Sequence, residues 1–311
     1  MLKIIQKTSI ANNYSQLKEF EAGSWVIVES PNHEELSFLT LTLGLEEGLL
    51  TDSVDIDEVP RAEIEDGNLY VFSRFAYTDN SGQIKTSPVM FVIGKNFFVT
   101  ITLISKSPFR SFALSSDSYN TLEKKSLLLS LIKLSIDSYS VRLNSLSKQV
   151  RSVRSNLSIQ KVSNKDFIQL VEIGDVLNEF LGDIVPISTV LDYLAINKLN
   201  VLKFNEDELD EIEDAALKAR QLMDNTKSAL KTIVNIREAY SNIATNNLNK
   251  KITILTTLTV VLTIPTIVGS FFGMNVSVPF ANDKDSFLII ISVTLVLVVT
   301  SLLWLKRKGW F

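Results

Sequence analysis

Cysteine is absent from the 311 residues, and histidine occurs once, as His33. Disulfides, thiolate metal sites, cysteine nucleophiles and a multi-histidine metal centre are thereby excluded, and a Ser-His-Asp triad has only His33 to build on. His33 stands in Asn32-His33-Glu34-Glu35-Leu36. That segment lacks the second histidine of a zinc-protease helix, so His33 reads as a surface helix residue. Basic excess is missing too: 31 Lys and Arg stand against 35 Asp and Glu, a net charge of −4. A protein that neutralises nucleic-acid phosphates needs the opposite balance. No glycine-rich phosphate loop and no nucleophile–base constellation is visible, which argues against a nucleotide or organic cofactor and against an enzyme. The N-terminal Met1–Lys7 has no long apolar stretch and does not read as a secretory signal.

Chain breakers are unevenly spread. Six of the 11 glycines and three of the seven prolines lie in residues 1–94, whereas none of either occurs between Pro186 and Pro265. The first part reads as mixed α and β structure. Ser24–Glu29 and Asn68–Tyr77 have strand composition, and Pro88–Ile93 and Phe97–Thr102 around Gly94-Lys95-Asn96 read as a hairpin. Ser30-Pro31 before Asn32–Leu36 reads as a helix start, with Ser30 at the cap. Residues 108–200 read as two long helices with polar joints. Residues 142–165 hold six basic residues and no acid, a solvated helix end or a contact for acidic lipid or an acidic neighbouring subunit. Glu206–Phe272 reads as one helix of 67 residues, about 100 Å long.

Charge disappears near the C-terminus. Ile252–Asn282 and Ser286–Leu305 contain no Asp, Glu, Lys or Arg. Within them Ile252–Phe272 is about 31 Å long as a helix and Phe287–Leu305 about 28 Å, each matched to a hydrocarbon core of about 30 Å. The expected organisation is an α+β cytoplasmic domain (1–107), a long-helix region (108–205), a stalk (206–251), a first span (252–272), an external loop (273–286), a second span (287–305) and a basic tail (306–311). Lys250 and Lys251 flank the first span and Lys306, Arg307 and Lys308 the second, while the loop holds only Asp283, Lys284 and Asp285. Positive flanks place both chain ends on the cytoplasmic side of a cell (inner or plasma) membrane, with Trp304 and Trp310 near the inner interface.

The first span is not uniformly apolar. Positions 252, 256, 259, 263, 266 and 270 share one helix face and read Ile252, Thr256, Thr259, Thr263, Thr266 and Ser270. A hydroxyl face suits a wet path or helix–helix hydrogen bonds better than lipid. One hairpin cannot enclose a pore, so a wet path requires a ring of identical subunits.

Phe272 is followed by Gly273-Met274-Asn275. A Gly-Met-Asn tripeptide just after the first of two C-terminal spans resembles the signature of the CorA-like magnesium channels. Asn247-Leu248-Asn249-Lys250-Lys251-Ile252 resembles that family's Asn-rich approach to the membrane, Leu262-Thr263-Ile264-Pro265-Thr266 its Pro/Thr segment, and Val59-Pro60-Arg61-Ala62-Glu63 a motif of its soluble domain. The order of parts agrees over the whole chain. The resemblance implies a homopentamer with a cytoplasmic funnel. It implies a selectivity ring of Gly273, Met274 and Asn275, a pore lined by Thr259, Thr263 and Thr266, an apolar constriction of Ile252 and Leu255, and Asn249 below it. The external loop reads Val276-Ser277-Val278-Pro279-Phe280-Ala281-Asn282-Asp283 where the family often has Met-Pro-Glu-Leu, leaving Asp283 or Asp285 to supply negative charge. Phe272 stands where Tyr is common.

These residues give an expected mechanism. Magnesium prefers six oxygens and sheds water reluctantly, and the span has no carboxylates to replace that water. Asn275 carboxamides and threonine hydroxyls would pass the ion hydrated, driven by about 4.6 kcal/mol per 100 mV for two charges. Ile252 and Leu255 would close the path by dewetting. Seven acids crowd Glu206–Asp214. They form either a solvated helix start or a regulatory magnesium site between subunits, with Asp207, Asp210 and Asp214 as candidates. The competing expectations are transport of Co2+, Ni2+ or Zn2+ by a protein of the same family, and a non-conducting membrane-tethered sensor or scaffold.

Overall fold

The computed structural model describes residues 1–8, 14–115, 119–158, 164–196, 203–275 and 285–308. Among them the chain divides into two compact units, Met1–Ile236 and Arg237–Phe311. The division falls inside a helix rather than at a loop.

The first unit is built on a seven-stranded sheet. In chain order its strands are β1 (Leu2–Gln6), β2 (Ser15–Leu17), β3 (Ser24–Glu29), β4 (Arg61–Glu65), β5 (Asn68–Thr78), β6 (Ile84–Ile93) and β7 (Phe97–Thr102), arranged β2-β1-β3-β7-β6-β5-β4. Only β3 and β7 pair in parallel, from Ser24 opposite Phe97 to Glu29 opposite Thr102. Both are buried along their whole length, as parallel strands covered on two faces must be. β4 and β5 are joined by Asp66-Gly67, both at positive φ (51° and 73°), the backbone that a tight two-residue hairpin turn demands.

Alternation along the strands sends side chains to two cores. Val26, Val28, Tyr70, Phe72 and Met90 meet α1 (His33–Leu43) and α2 (Glu47–Asp52) through Leu39, Leu43, Leu49 and Leu50. Trp25, Ile27, Val71, Phe91 and Phe98 belong to the opposite core, with α3 (Pro108–Ser115), α4 (Lys124–Ser158), α5 (Asn164–Ala195) and the start of α6 (Glu206–Phe272). The stretch after residue 108 thus holds a short helix before its two long ones. The start of α1 also differs from the expected Ser30 cap. Asn32 is the cap: its Oδ1 accepts from the Glu35 N–H at 2.8 Å, and the Glu35 carboxylate accepts from the Asn32 N–H. Reciprocal bonding satisfies two free donors, which a lone Ser30 cap could not do. His33 is the first, exposed residue of this helix.

Val59–Glu63 leads into β4. Arg61 meets the carboxylates of Asp52, Glu58 and Glu63 and lies 4.1 Å from the Phe72 ring centre.

A buried polar network ties α4 and α5 to the sheet. Arg74 of β5 places Nε 2.8 Å from Asp183 Oδ1 of α5, an ion pair whose N–H points off the hydrogen-bond line. The guanidinium also donates to the Ile56 and Glu58 carbonyls and to Thr86 Oγ1. Tyr139 of α4 donates to Asp183 Oδ2 at 2.9 Å, and Thr86 donates to Glu179 at 2.6 Å. Burial pushes the Asp183 carboxyl above the usual range, with Arg74 and the Tyr139 hydroxyl pulling it back. Removing one partner leaves the other charge buried and uncompensated. Asp183→Ala is therefore expected to cost about 3–5 kcal/mol. Thermal or denaturant unfolding of the purified chain, compared with wild type, measures it.

Candidate functional site

The second unit contains the C-terminal part of α6 and α7 (Ser286–Arg307), and both helices are long and apolar enough to cross a membrane. They run antiparallel. Pro265, Val268 and Gly269 of α6 border a groove with Ile290, Ile291 and Thr294 of α7, and Ile264 and Ile267 border another with Leu297, Ser301 and Trp304. On α6 the shielded positions are 253, 257, 261, 264 and 268, which recur at helical spacing and mark the seam against α7. Thr257 in that seam is only 4% exposed, and its hydroxyl has no hydrogen-bond partner among the described residues.

Ile252, Thr256, Thr259, Thr263, Thr266 and Ser270 are all exposed. At about 100° per residue their row is centred about 140° around the helix from the seam. The hydroxyl row thus faces away from the only other helix of its unit among the described residues.

Its four threonines share one local chemistry. Thr256 donates to the Ile252 carbonyl at 2.9 Å, Thr259 to Leu255 at 2.9 Å, Thr263 to Thr259 at 2.7 Å and Thr266 to Leu262 at 2.9 Å. Each hydroxyl proton is spent on the helix's own backbone, so the oxygen's remaining lone pairs point outward as acceptors.

The row ends at the tripeptide. The Gly273 N–H reaches the Gly269 and Ser270 carbonyls at 3.0 and 3.2 Å, and Met274 N reaches Phe271 O at 3.4 Å, a tightened last turn. A Cβ added at Gly273 would meet only those two carbonyls, at 3.4 and 3.6 Å, which is ordinary contact. Met274 and Asn275 are exposed beyond the helix end. Ile252 and Leu255 are exposed at the N-terminal end of the same side, and Asn249 lies one turn before Ile252. Asp285 caps α7 through its carbonyl, with no side-chain cap bond. Asp283, Trp310 and positions 159–163 of the basic segment lie outside the described residues.

The acidic start of α6 splits into two sets. Asn205 and Glu208 form a reciprocal cap, at 2.8 and 2.9 Å. Glu208 also accepts from Lys125, and Glu211 from Lys133, each at 2.9 Å. Glu206, Asp207, Asp210, Glu213 and Asp214 are instead exposed, with no ion pair among the described residues, and Asp207, Asp210 and Asp214 are three of these five. Sequence reasoning missed the lysine partners, because they lie on another helix about 80 residues earlier in the chain. Among the described residues no three Asp, Glu or His side chains gather to hold a metal ion.

Residues 20–307 match the family described as CorA-like Mg2+ transporter protein. The chain belongs to this family. Its members are ion transporters and not enzymes, and this chain is a membrane protein of that kind. It is similar to the "Cobalt/magnesium transport protein CorA" of Methanocaldococcus jannaschii, with 23% identity over 92% of this chain and 90% of that protein. The "Magnesium transport protein CorA" of Campylobacter jejuni is 20% identical, again over 92% of this chain and 90% of that protein. Among solved structures, the complete CorA magnesium transporter of M. jannaschii superposes with a TM-score of 0.87 at 19% identity, covering 100% of this chain and 99% of that one. The fold is therefore that of a full-length CorA protein: a mixed-sheet domain, long helices and a final apolar helix.

The two faces of α6 give separate expectations for aqueous thiol reagents on the otherwise cysteine-free chain. Thr259→Cys, Thr263→Cys and Thr266→Cys in membranes should be labelled, and Thr257→Cys should resist labelling. Mass spectrometry after timed exposure reads both.

Proposed function

We propose that the chain assembles as a homopentamer and passes hydrated Mg2+ through a central path lined by α6. The observation that carries this reading is the hydroxyl row on the side of α6 opposite the α7 seam, leading to Gly273-Met274-Asn275. A single hairpin leaves that row facing outward. A ring of hairpins turns it inward, around water. The names of the relatives, which mention magnesium, support the choice of ion.

In this assembly each residue has a stated task. The Asn275 carboxamides, supported by Gly273 and Met274, receive the ion's bound water at the external mouth. Thr266, Thr263, Thr259 and Thr256, with Ser270 above them, continue those contacts inward. Their outward lone pairs suit a hydrated cation, whose bound waters present hydrogens to the wall. Asp283 and Asp285 raise the local cation concentration outside. Ile252 and Leu255 form the apolar constriction, with Asn249 on its inner side. Both chain ends lie in the cytoplasm, as the basic flanks favour. The membrane potential supplies the driving force, about 4.6 kcal/mol per 100 mV for a divalent ion moving inward.

The unpaired carboxylates Asp207, Asp210 and Asp214 supply the gate's sensor. Neighbouring copies bring them together, intracellular Mg2+ relieves their repulsion, and loss of that ion loosens the closed ring. Cobalt is a second cargo: a relative's name mentions it, and the external loop lacks the glutamate common in the family.

Three measurements test the proposal. Asn275→Ala should lower Mg2+ uptake about tenfold or more in a transport-deficient cell, equivalent to about 1.4 kcal/mol or more of lost stabilisation along the path. Unchanged uptake would leave the tethered-sensor alternative standing. Parallel flux of Mg2+, Co2+, Ni2+ and Zn2+ into liposomes ranks the cargoes. Separately, Asp210→Asn with Asp214→Asn should raise the internal Mg2+ needed to shut off uptake.

A further inference from the structure

We propose that a basic end of the first unit docks on the anionic lipid headgroups of the cytoplasmic leaflet, an assignment that rests on the cytoplasmic orientation given above. Three helices build this end. α4 and α6 lie side by side and point the same way. Lys125 pairs with Glu208, Lys133 with Glu211 and Asp137 with Lys218, and further along Asn144, Ser147 and Arg151 border a cleft with Asn225, Ser228 and Thr232. α5 returns antiparallel, with Tyr139 of α4 bonded to its Asp183 and Gln149 to its Gln169. Residues 148–158 of α4, 164–169 of α5 and 225–236 of α6 therefore share one end of the unit. They hold six cations, Lys148, Arg151, Arg154, Lys165, Lys227 and Lys231, against one carboxylate, Asp166. All six cations are exposed, and none enters an ion pair among the described residues. Arg142, earlier on α4, is instead spent on the Ser138 carbonyl.

Helix dipoles account for only part of this pattern. Cations suit the last turns of α4, but Lys165 stands in the first turn of α5, where the dipole favours an acid, and Lys227 and Lys231 lie far from either end of α6. Pairing does not account for it either. The first half of α4 spends Lys125 and Lys133 on acids of α6, whereas its second half faces Asn225, Ser228 and Thr232. Like charges gathered in this way repel, and an anionic surface relieves that repulsion. Such a surface is within reach of the chain. α6 leaves the first unit at this end, and only residues 237–251 of the same helix precede its apolar stretch, at most about 24 Å. The headgroup layer takes up about 5–7 Å of that length. Long basic side chains and a Debye length of about 8–10 Å cover most of the rest. Clusters of Lys and Arg just cytoplasmic of a span are attracted to acidic phospholipid for this reason.

The test uses the full-length chain with Ser152→Cys, an exposed position between Arg151 and Arg154 and a unique thiol in a chain without cysteine. A benzophenone on that thiol is photoactivated in vesicles of equal phosphatidylcholine and phosphatidylglycerol, and mass spectrometry identifies what it captures. The anionic lipid should be captured about fivefold or more over the neutral one. The ratio should fall toward one when Lys148→Gln, Arg151→Gln, Arg154→Gln and Lys165→Gln are combined. It should fall likewise at about 1 M salt, where the Debye length shrinks to about 3 Å, and this arm needs no further variant to fold. Equal capture of the two lipids in low salt overturns the docking, as does capture of no lipid. Capture of a neighbouring copy's peptide in place of lipid assigns the cations to a subunit contact and overturns it too, and loss of the preference on adding millimolar inorganic phosphate assigns them to a free anion with the same result. Sidedness is read separately. If an impermeant thiol reagent reaches Ser152→Cys from outside intact cells, the cytoplasmic orientation fails and the docking with it. A thiol shielded in intact cells that still captures no anionic lipid overturns the docking alone.

Discussion

Hydroxyl groups in a hydrocarbon layer have to find hydrogen-bond partners, and the way α6 meets that demand decides what each of its faces can do. Thr256, Thr259, Thr263 and Thr266 each give their proton to the preceding turn's carbonyl. This satisfies the donor within the helix and leaves the acceptor unused. A helix solved in this way tolerates lipid, but its full hydrogen-bonding capacity is realised only against water. The seam with α7 takes the opposite side of the same helix. The span therefore has one face committed to its partner and one face with acceptors to spare, which is the division of labour a ring of hairpins requires.

The soluble unit answers a different requirement. Two cores, one on each side of the sheet, fix α1 and α2 on one face and α3, α4 and α5 on the other. The apolar contacts supply the bulk of that cohesion, whereas the ion pairs between α4 and α6 are partly exposed and contribute roughly 0–1 kcal/mol each. Lys125–Glu208 and Lys133–Glu211 matter more for arrangement than for strength. They draw two of the seven acids at the start of α6 toward α4 and leave the other five, Asp207, Asp210 and Asp214 among them, exposed without an ion pair among the described residues. A uniform run of carboxylates becomes two populations with different partners.

Several features were legible because they are one-dimensional. Uncharged runs of bilayer length, the scarcity of glycine and proline before the first span, and the four-and-three spacing of threonines need no tertiary contact to be recognised. The tripeptide after Phe272 was equally plain. Other features were not, because they depend on residues distant in sequence. Nothing near Arg74 announces Asp183, Tyr139 and Thr86 as its surroundings, since they come from three other elements. The cap of α1 was misplaced by two residues because Ser30 is a good capping type by itself. Asn32 prevails through its reciprocal bond with Glu35, a pairing that both residues must adopt together.

The sequence by itself determined the two apolar spans, the single long helix leading into the first of them and the row of hydroxyls along its length, because length, breaker content and helical periodicity are properties of a local run of residues. Only the tertiary structure decided that α7 packs against the Thr253–Thr257–Val268 side and so leaves the hydroxyl row open. It also decided which acids of α6 are neutralised by α4. Both outcomes depend on which helix lies beside which, and that is set by the mutual fit of side chains from separate segments, which no single segment encodes.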